Sequence, residues 1–233
     1  MKSFVIRFVC ILGFTVVALG IVPLQPVNAT TRTVNTLVDE ADGSCTDGDC
    51  SLRDALALAV NGDTIDFSVT GTIEMAQGQY YIDHSITLNG PGADHLTIDG
   101  NHSSRVFYIG VNIHPAVSGL TVTGGDVNSD NGGAFKLRDA GLTLSDCVVH
   151  NNRALGAGNG GGIYAYHSTL IIENSTFSNN VAVFSGAGTG NGAAIYTYQG
   201  NVTISDSVFS GNIAGAGGAG GAAAGGERLL AHP

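Results

Sequence analysis

Lysine is nearly missing from this chain of 233 residues: only Lys2 and Lys136 are present. Nine basic residues in all face 19 acidic ones, and charged residues make up 12% of the chain. So little positive charge argues against a nucleic-acid partner, because phosphates would go unneutralised. A protein this acidic that held a polyanion would be expected to need a bridging cation. Cysteine is scarce too, with four residues and no Cys-x-x-Cys pair, so the usual redox spacing is missing. Zinc wants four ligands, and no further Cys or His lies near Cys45 and Cys50 to complete a set. Long apolar runs are also missing. The one from Phe8 to Val22 falls short of the ~20 residues that span a bilayer.

That run follows Lys2 and Arg7 and precedes Val27-Asn28-Ala29, whose small residues suit signal peptidase. The segment 1–29 therefore reads as a secretory signal peptide, with a retained membrane anchor as the competing reading. Cys10 lies inside the apolar core and away from the cleavage point, which argues against a lipoprotein anchor. Cleavage after Ala29 leaves 204 residues, enough for one domain, with no membrane span. Losing Lys2 and Arg7 leaves seven basic residues against 19 acidic ones, a formal charge of −12. Export also permits disulfides.

What the chain has in abundance is glycine, 35 residues, and internal repetition. LTLSDCVVHNNRA (142–154), LIIENSTFSNNVA (170–182) and VTISDSVFSGNIA (202–214) align without gaps at offsets of 28 and 32 residues. Each follows a glycine-led stretch: NGGAFKL (131–137), NGGGIYAY (159–166) and NGAAIYTY (191–198). Apolar residues alternate within each unit, as half-buried strands require. Leu142 and Leu144, Leu170 and Ile172, and Val202 and Ile204 form one inward set. Val149, Phe177 and Phe209 form a second, after a polar turn at Asp146, Asn174 and Asp206. Asn152, Asn180 and Asn212 mark another turn, and stacked asparagines can hydrogen-bond up a column. Identical roles at a fixed period predict an all-β, right-handed parallel β-helix. One helix is predicted, in SLRDALALAV (51–60). Leu52, Ala55, Leu56, Ala59 and Val60 share a face, Ser51 and Asp54 resemble a capping box, and Asn61-Gly62 stops it. It would cap the N-terminal end of the solenoid, which would otherwise expose unpaired edges. The expected organisation is a leader (1–29), an N-terminal cap (30–67), repeats (68–214) and a Gly/Ala-rich tail (215–233). The tail matches nothing in the repeat and reads as a shortened end.

CSLRDA (50–55), with TVNTLVDEADGSC before it and NGDTIDF after it, resembles the CSLREA domain that opens secreted bacterial β-helix proteins. Asp54 stands where that tag has glutamate, which keeps the charge. The later units resemble the repeats of chlamydial polymorphic outer membrane proteins, with their GGAI and FxxN signatures. Here these are GGAF (132–135), GGGI (160–163) and GAAI (192–195), then FSNN (177–180) and FSGN (209–212). The resemblance implies a β-helix at the cell surface or outside the cell. It implies no particular reaction, and function has to be argued from a site.

Four groups of residues are candidates. Cys45 and Cys50 read as a local disulfide, with Cys147 a buried small residue in the column of Ser175 and Ser207. Asp39, Glu40, Asp42, Asp47 and Asp49 are either a calcium loop or a solvated acidic loop; Asp39, Asp42, Asp47 and Asp49 are the ligands calcium would take. Tyr164, Tyr166, Tyr196 and Tyr198 recur as Ile-Tyr-x-Tyr on an outward face. They could grip a sugar or a surface protein, or simply stack between rungs. Asp126, Asp130, Lys136 and Arg138, with Asp139, are the only concentration that could serve a calcium-dependent polysaccharide lyase or hydrolase. No paired aspartates of a glycosidase accompany them. A non-catalytic surface module, adhering to a glycan or a protein, is the preferred expectation.

Overall fold

The computed structural model describes residues 29–156, 158–183, 190–215, 222–225 and 229–232, the last two segments by their backbone. The leader assigned to 1–29 therefore lies almost wholly outside the described residues. Every paired strand is parallel to its neighbours, and the strands stack into four sheets of eight, six, six and four strands. From Asp126 onward, one turn of the solenoid visits each sheet once. The turn after Asn131 runs through Phe135–Arg138, Gly141–Ser145, Val148–His150 and Arg153–Leu155 before the next turn begins at Ile163–Tyr166. The expected parallel β-solenoid, with one short helix, is the fold.

Register follows the repeat. Leu142 lies beside Leu170 and Leu170 beside Val202; Val149 lies beside Phe177 and Phe177 beside Phe209. Because side chains alternate across a strand, each inward column is continuous from rung to rung. Phe107 stacks on Phe135 with ring centres 5.2 Å apart, and Phe177 on Phe209 at 5.1 Å. The chain bends sharply at single residues with left-handed backbone: Asp146, Asn174 and Asp206 at one corner, Asp139, His167 and Gln199 at another. Asn and Asp tolerate this conformation better than other non-glycine residues. At the second expected turn the residue that bends is the one before the asparagine, Asn151, Asn179 or Gly211.

That shift frees Asn152, Asn180 and Asn212 to turn their amides inward. Asn180 Oδ1 accepts from both the backbone N and Nδ2 of Asn152, each at 3.1 Å, and Asn212 Oδ1 accepts the same pair from Asn180 at 3.0 Å. Asn131, Asn159 and Asn191 form a second ladder, in which each asparagine donates to the preceding rung instead of the following one. Such ladders satisfy backbone groups at corners where the sheet cannot. Cys147 sits in the serine column, its N–H donating to Ser175 Oγ at 3.1 Å, and burial pushes its thiol up to about 11.

In the N-terminal region, Thr31–Val34 and Thr64–Phe67 pair as the first two strands of the eight-stranded sheet. The helix spans Leu52–Leu58 and buries Leu52, Ala55 and Leu56. Ser51 Oγ accepts from Asp54 N at 3.0 Å, which is the expected cap. It stops short of Val60, which is left exposed. The reason is Asp63, whose Oδ2 accepts from Val60 N and draws the chain into the next strand. The same carboxylate binds Arg32 and Thr30. Cys45 and Cys50 are disulfide-bonded. At the other end, Ala222–Gly225 and Leu229–His232 pair with Ile195–Tyr198 and Asn201–Ser205. The tail therefore continues two of the sheets, although its sequence lacks the repeat pattern.

Candidate binding site on the tyrosine face

One six-stranded sheet turns a column of tyrosines outward. Its strands pair in the register Tyr81, Tyr108, Lys136, Tyr164, Tyr196, one residue per rung. A parallel column two residues on reads Arg138, Tyr166, Tyr198. The neighbours of each outward residue point into the core: Phe107 and Ile109, Phe135 and Leu137, Ile163 and Ala165 are all buried. Sequence reasoning found the last four tyrosines but not Tyr81 and Tyr108. The available signal was the apolar–Tyr–apolar triplet, present as YYI and FYI in rungs that otherwise lack the repeat signature.

Above the gap, Tyr164 and Tyr196 stack with ring centres 5.4 Å apart and planes 8° apart, and Tyr166 and Tyr198 at 5.3 Å and 11°. Below it, Tyr81 and Tyr108 lie 5.7 Å apart and tilted. Lys136 occupies the rung between Tyr108 and Tyr164 and supplies no ring. With Tyr196 on one side of Tyr164, the other side of that ring turns toward Lys136. The interruption leaves a depression of about 370 Å³ lined by Tyr108, Asn131, Lys136, Arg138, Tyr164 and Tyr166. At ~4.8 Å per rung, the two tyrosines that bound it stand two rungs, or ~10 Å, apart.

The rim is basic and braced. Lys136 Nζ lies 2.5 Å from Asp130 Oδ1, and Arg105 Nη2 lies 2.6 Å from Asp130 Oδ2. Arg105 is buried, and also donates to the carbonyls of Asn131 and Gly132 and to Gln79 Oε1. Burial alone would raise the Asp130 carboxyl; hydrogen bonds from Lys136, the Asn131 N–H and Arg105 outweigh it and hold the group below the usual carboxylate range. The loop through Gly132 is fixed as well. Its φ is +72°, and a Cβ there would meet Phe135 O at 2.2 Å, so glycine is required. Gly160 and Gly192 repeat that constraint one and two rungs later. Arg138 is the most exposed basic residue of the set: its side chain is 65% exposed, 3.4 Å from Asp139, with the guanidinium 5.4 Å from the Tyr166 ring centre. Burial, then the neighbouring Tyr196 and Tyr166, raise the Tyr164 phenol, which stays a hydrogen-bond donor at neutral pH.

The residues suggested for a lyase do not assemble as a set. Lys136 and Arg138 share the outer face as expected, and Asp130 joins Lys136. Asp126 lies on the four-stranded sheet and pairs with Arg153 at 3.2 Å. The acidic loop also divides. Asp42, Asp47 and Asp49 bring carboxylate oxygens within 4.8 Å of one another. Asp39 is drawn away and buried, accepting from Arg53 Nε and Nη2 at 2.8 and 2.9 Å, the N–H groups of Ala76 and Gln77, and the Tyr80 hydroxyl. It locks the helix to the first rungs and is spent as a cation ligand. Among the described residues no helix is long and apolar enough to cross a membrane.

Part of the chain is similar to a known repeat family. Residues 146–166 and 174–198 match the Chlamydia polymorphic membrane protein repeat. Those stretches carry Tyr164, Tyr166, Tyr196 and Tyr198, together with Asn152 and Asn180 of one ladder and Asn159 and Asn191 of the other. Repeats of this family are associated with the outer membrane or cell surface of Chlamydia. No curated protein and no solved structure matches the chain.

Proposed function

We propose that this protein is an exported, surface-displayed β-solenoid that binds carbohydrate, without turning it over, at the break in its tyrosine column. Export is supported by the apolar leader and by the likeness of CSLRDA to the CSLREA tag. The observation that carries the reading is the replacement of a ring by Lys136 in an otherwise continuous aromatic column. A purely structural ladder gains from an unbroken stack. Here the break opens a recess with an aromatic wall on either side and polar groups converging from Asn131, Lys136 and Arg138. That combination of apolar walls and a few placed polar groups is what small-ligand sites use. A sugar ring offers an apolar face to Tyr164 and hydroxyls to the surrounding donors.

The test is a glycan array probed with the secreted protein and with Tyr164→Ala and Tyr166→Ala/Tyr198→Ala variants. Binding that weakens in the variants, with unchanged melting, supports the reading. Turnover of any bound polysaccharide that is lost in Lys136→Ala would overturn the non-catalytic part of it.

A further inference from the structure

Read from composition, a chain with a formal charge of −10 should repel polyanions unless a metal bridges them. The fold reverses that expectation locally. Lys136 and Arg138 are the charged residues that line the recess, and both are basic; Asp130, which Arg105 also holds, and Asp139 pair with them from outside the lining. The recess therefore carries excess positive charge on an acidic protein. Screening confines the repulsion from charges more than ~8–10 Å away at physiological salt, so the near groups decide what binds.

Resting on the carbohydrate reading above, we infer that the ligand is an acidic polysaccharide whose carboxylate or sulfate groups are held directly by Arg138 and Lys136, with no bridging metal. Three observations lead there. Asp130 is already bound by buried Arg105, so Lys136 can give up its contact to Asp130 without leaving that carboxylate unpaired. Arg138 is largely exposed beside Tyr166, with donors open to a bidentate anion. The column itself runs along the solenoid axis at ~4.8 Å per rung, and a pyranose polymer advances by about the same step per ring, so a chain can lie along Tyr81 to Tyr196 and place an acidic ring at Lys136.

The experiment measures binding in EDTA of four probes: a galacturonate hexamer, its methyl ester, a heparin hexasaccharide and poly-glutamate. The ester keeps the ring and removes the charge. The expected result is binding of one or both acidic sugars, with the ester weaker by tenfold or more. Arg138→Gln should cost on the order of tenfold with the acidic sugar and distinctly less with the ester, which loses only a hydroxyl contact. Arg138→Lys, which keeps charge but not the fork, should recover part of it. Heparin alone binding would assign the group as sulfate, galacturonate alone as carboxylate; either supports the inference. Equal binding of the ester overturns the inference and leaves the carbohydrate reading standing. A requirement for calcium overturns direct recognition. Poly-glutamate binding as tightly as the sugars overturns it in favour of an acidic protein partner. Failure of every sugar, charged and neutral, overturns the carbohydrate reading itself.

Discussion

Tyr164 lies one rung above Lys136 and one below Tyr196, and it stacks on Tyr196 at 5.4 Å while Lys136 gives it nothing to stack on. That asymmetry separates a site from a scaffold. Filling the gap should therefore abolish the one and spare the other. Lys136→Tyr would complete the column, and we expect it to change stability by under about 1 kcal/mol, since an aromatic pair gained offsets a part-exposed ion pair lost. Glycan binding should disappear. Calorimetric binding and urea titration on the same sample check both halves, and retained affinity would rule the recess out as the site.

Asn180 is the middle of a buried ladder. It accepts two hydrogen bonds from Asn152 and donates to Val149 O at 2.9 Å and to Asn212. Asn180→Ala leaves several buried groups without partners, at a cost of about 1–3 kcal/mol for each unsatisfied group. We expect a loss of 3 kcal/mol or more, on the order of what such groups cost together, read as a drop in urea midpoint. Asn89→Ala, at an exposed column where Asn89 only bridges Asp66 and Ser118, should cost far less.

Stability should depend on acid in a defined direction. Burial favours the protonated form of Asp39, Asp63 and Asp130, but hydrogen bonds from Arg53 and from the Ala76 and Gln77 N–H groups to Asp39, from the Thr30 and Val60 N–H groups and Arg32 to Asp63, and from Lys136 to Asp130 prevail and depress all three. A depressed folded-state pKa contributes stability above the unfolded value and loses it as pH falls through the folded value. Melting temperature should hold through the neutral range and fall once pH drops below the ordinary carboxylate range. Asp39→Asn should flatten that acid limb and lower stability at neutral pH by on the order of 3 kcal/mol, because it leaves Arg53 without its buried partner. An unchanged acid limb would show that Asp39 is not the group responsible.

The acidic loop should behave with the opposite sign. Desolvation, then Asp49, raise Glu40; at Asp42 the Ser44 N–H lowers the carboxyl, but desolvation and Asp47 outweigh it and the net shift is upward. Raised carboxyls resist ionisation, so lowering pH toward their range, removing a charge, or adding a divalent cation should each relieve the loop. In EDTA, Asp42→Asn should raise the melting temperature slightly, since an amide still accepts from Ser44. Millimolar calcium should raise that of the unaltered protein and do less for the variant. A melting temperature unmoved by both changes would leave Asp42, Asp47 and Asp49 as a solvated loop.

Much of the architecture is legible in the amino-acid order. A period of 28 and 32 residues with inward apolar columns can bury its surface only by stacking, and stacking brings like residues together. The solenoid, its serine and later asparagine columns, the capping helix and the outward direction of Tyr164 and Tyr166 all follow from alternation and period. The tertiary structure alone decided which residues meet across rungs that do not look alike. Tyr81 and Tyr108 join the tyrosine column because the early rungs keep register despite lacking the repeat signature. Asp39 leaves the acidic loop because five donors from the helix and the early rungs outbid solvent for it. Lys136 becomes a gap, and Arg105 its support, only when Tyr108 and Tyr164 are placed on either side. Local pattern sets which way each side chain points, whereas its neighbour one rung away depends on the loops between, whose lengths vary and carry no such pattern.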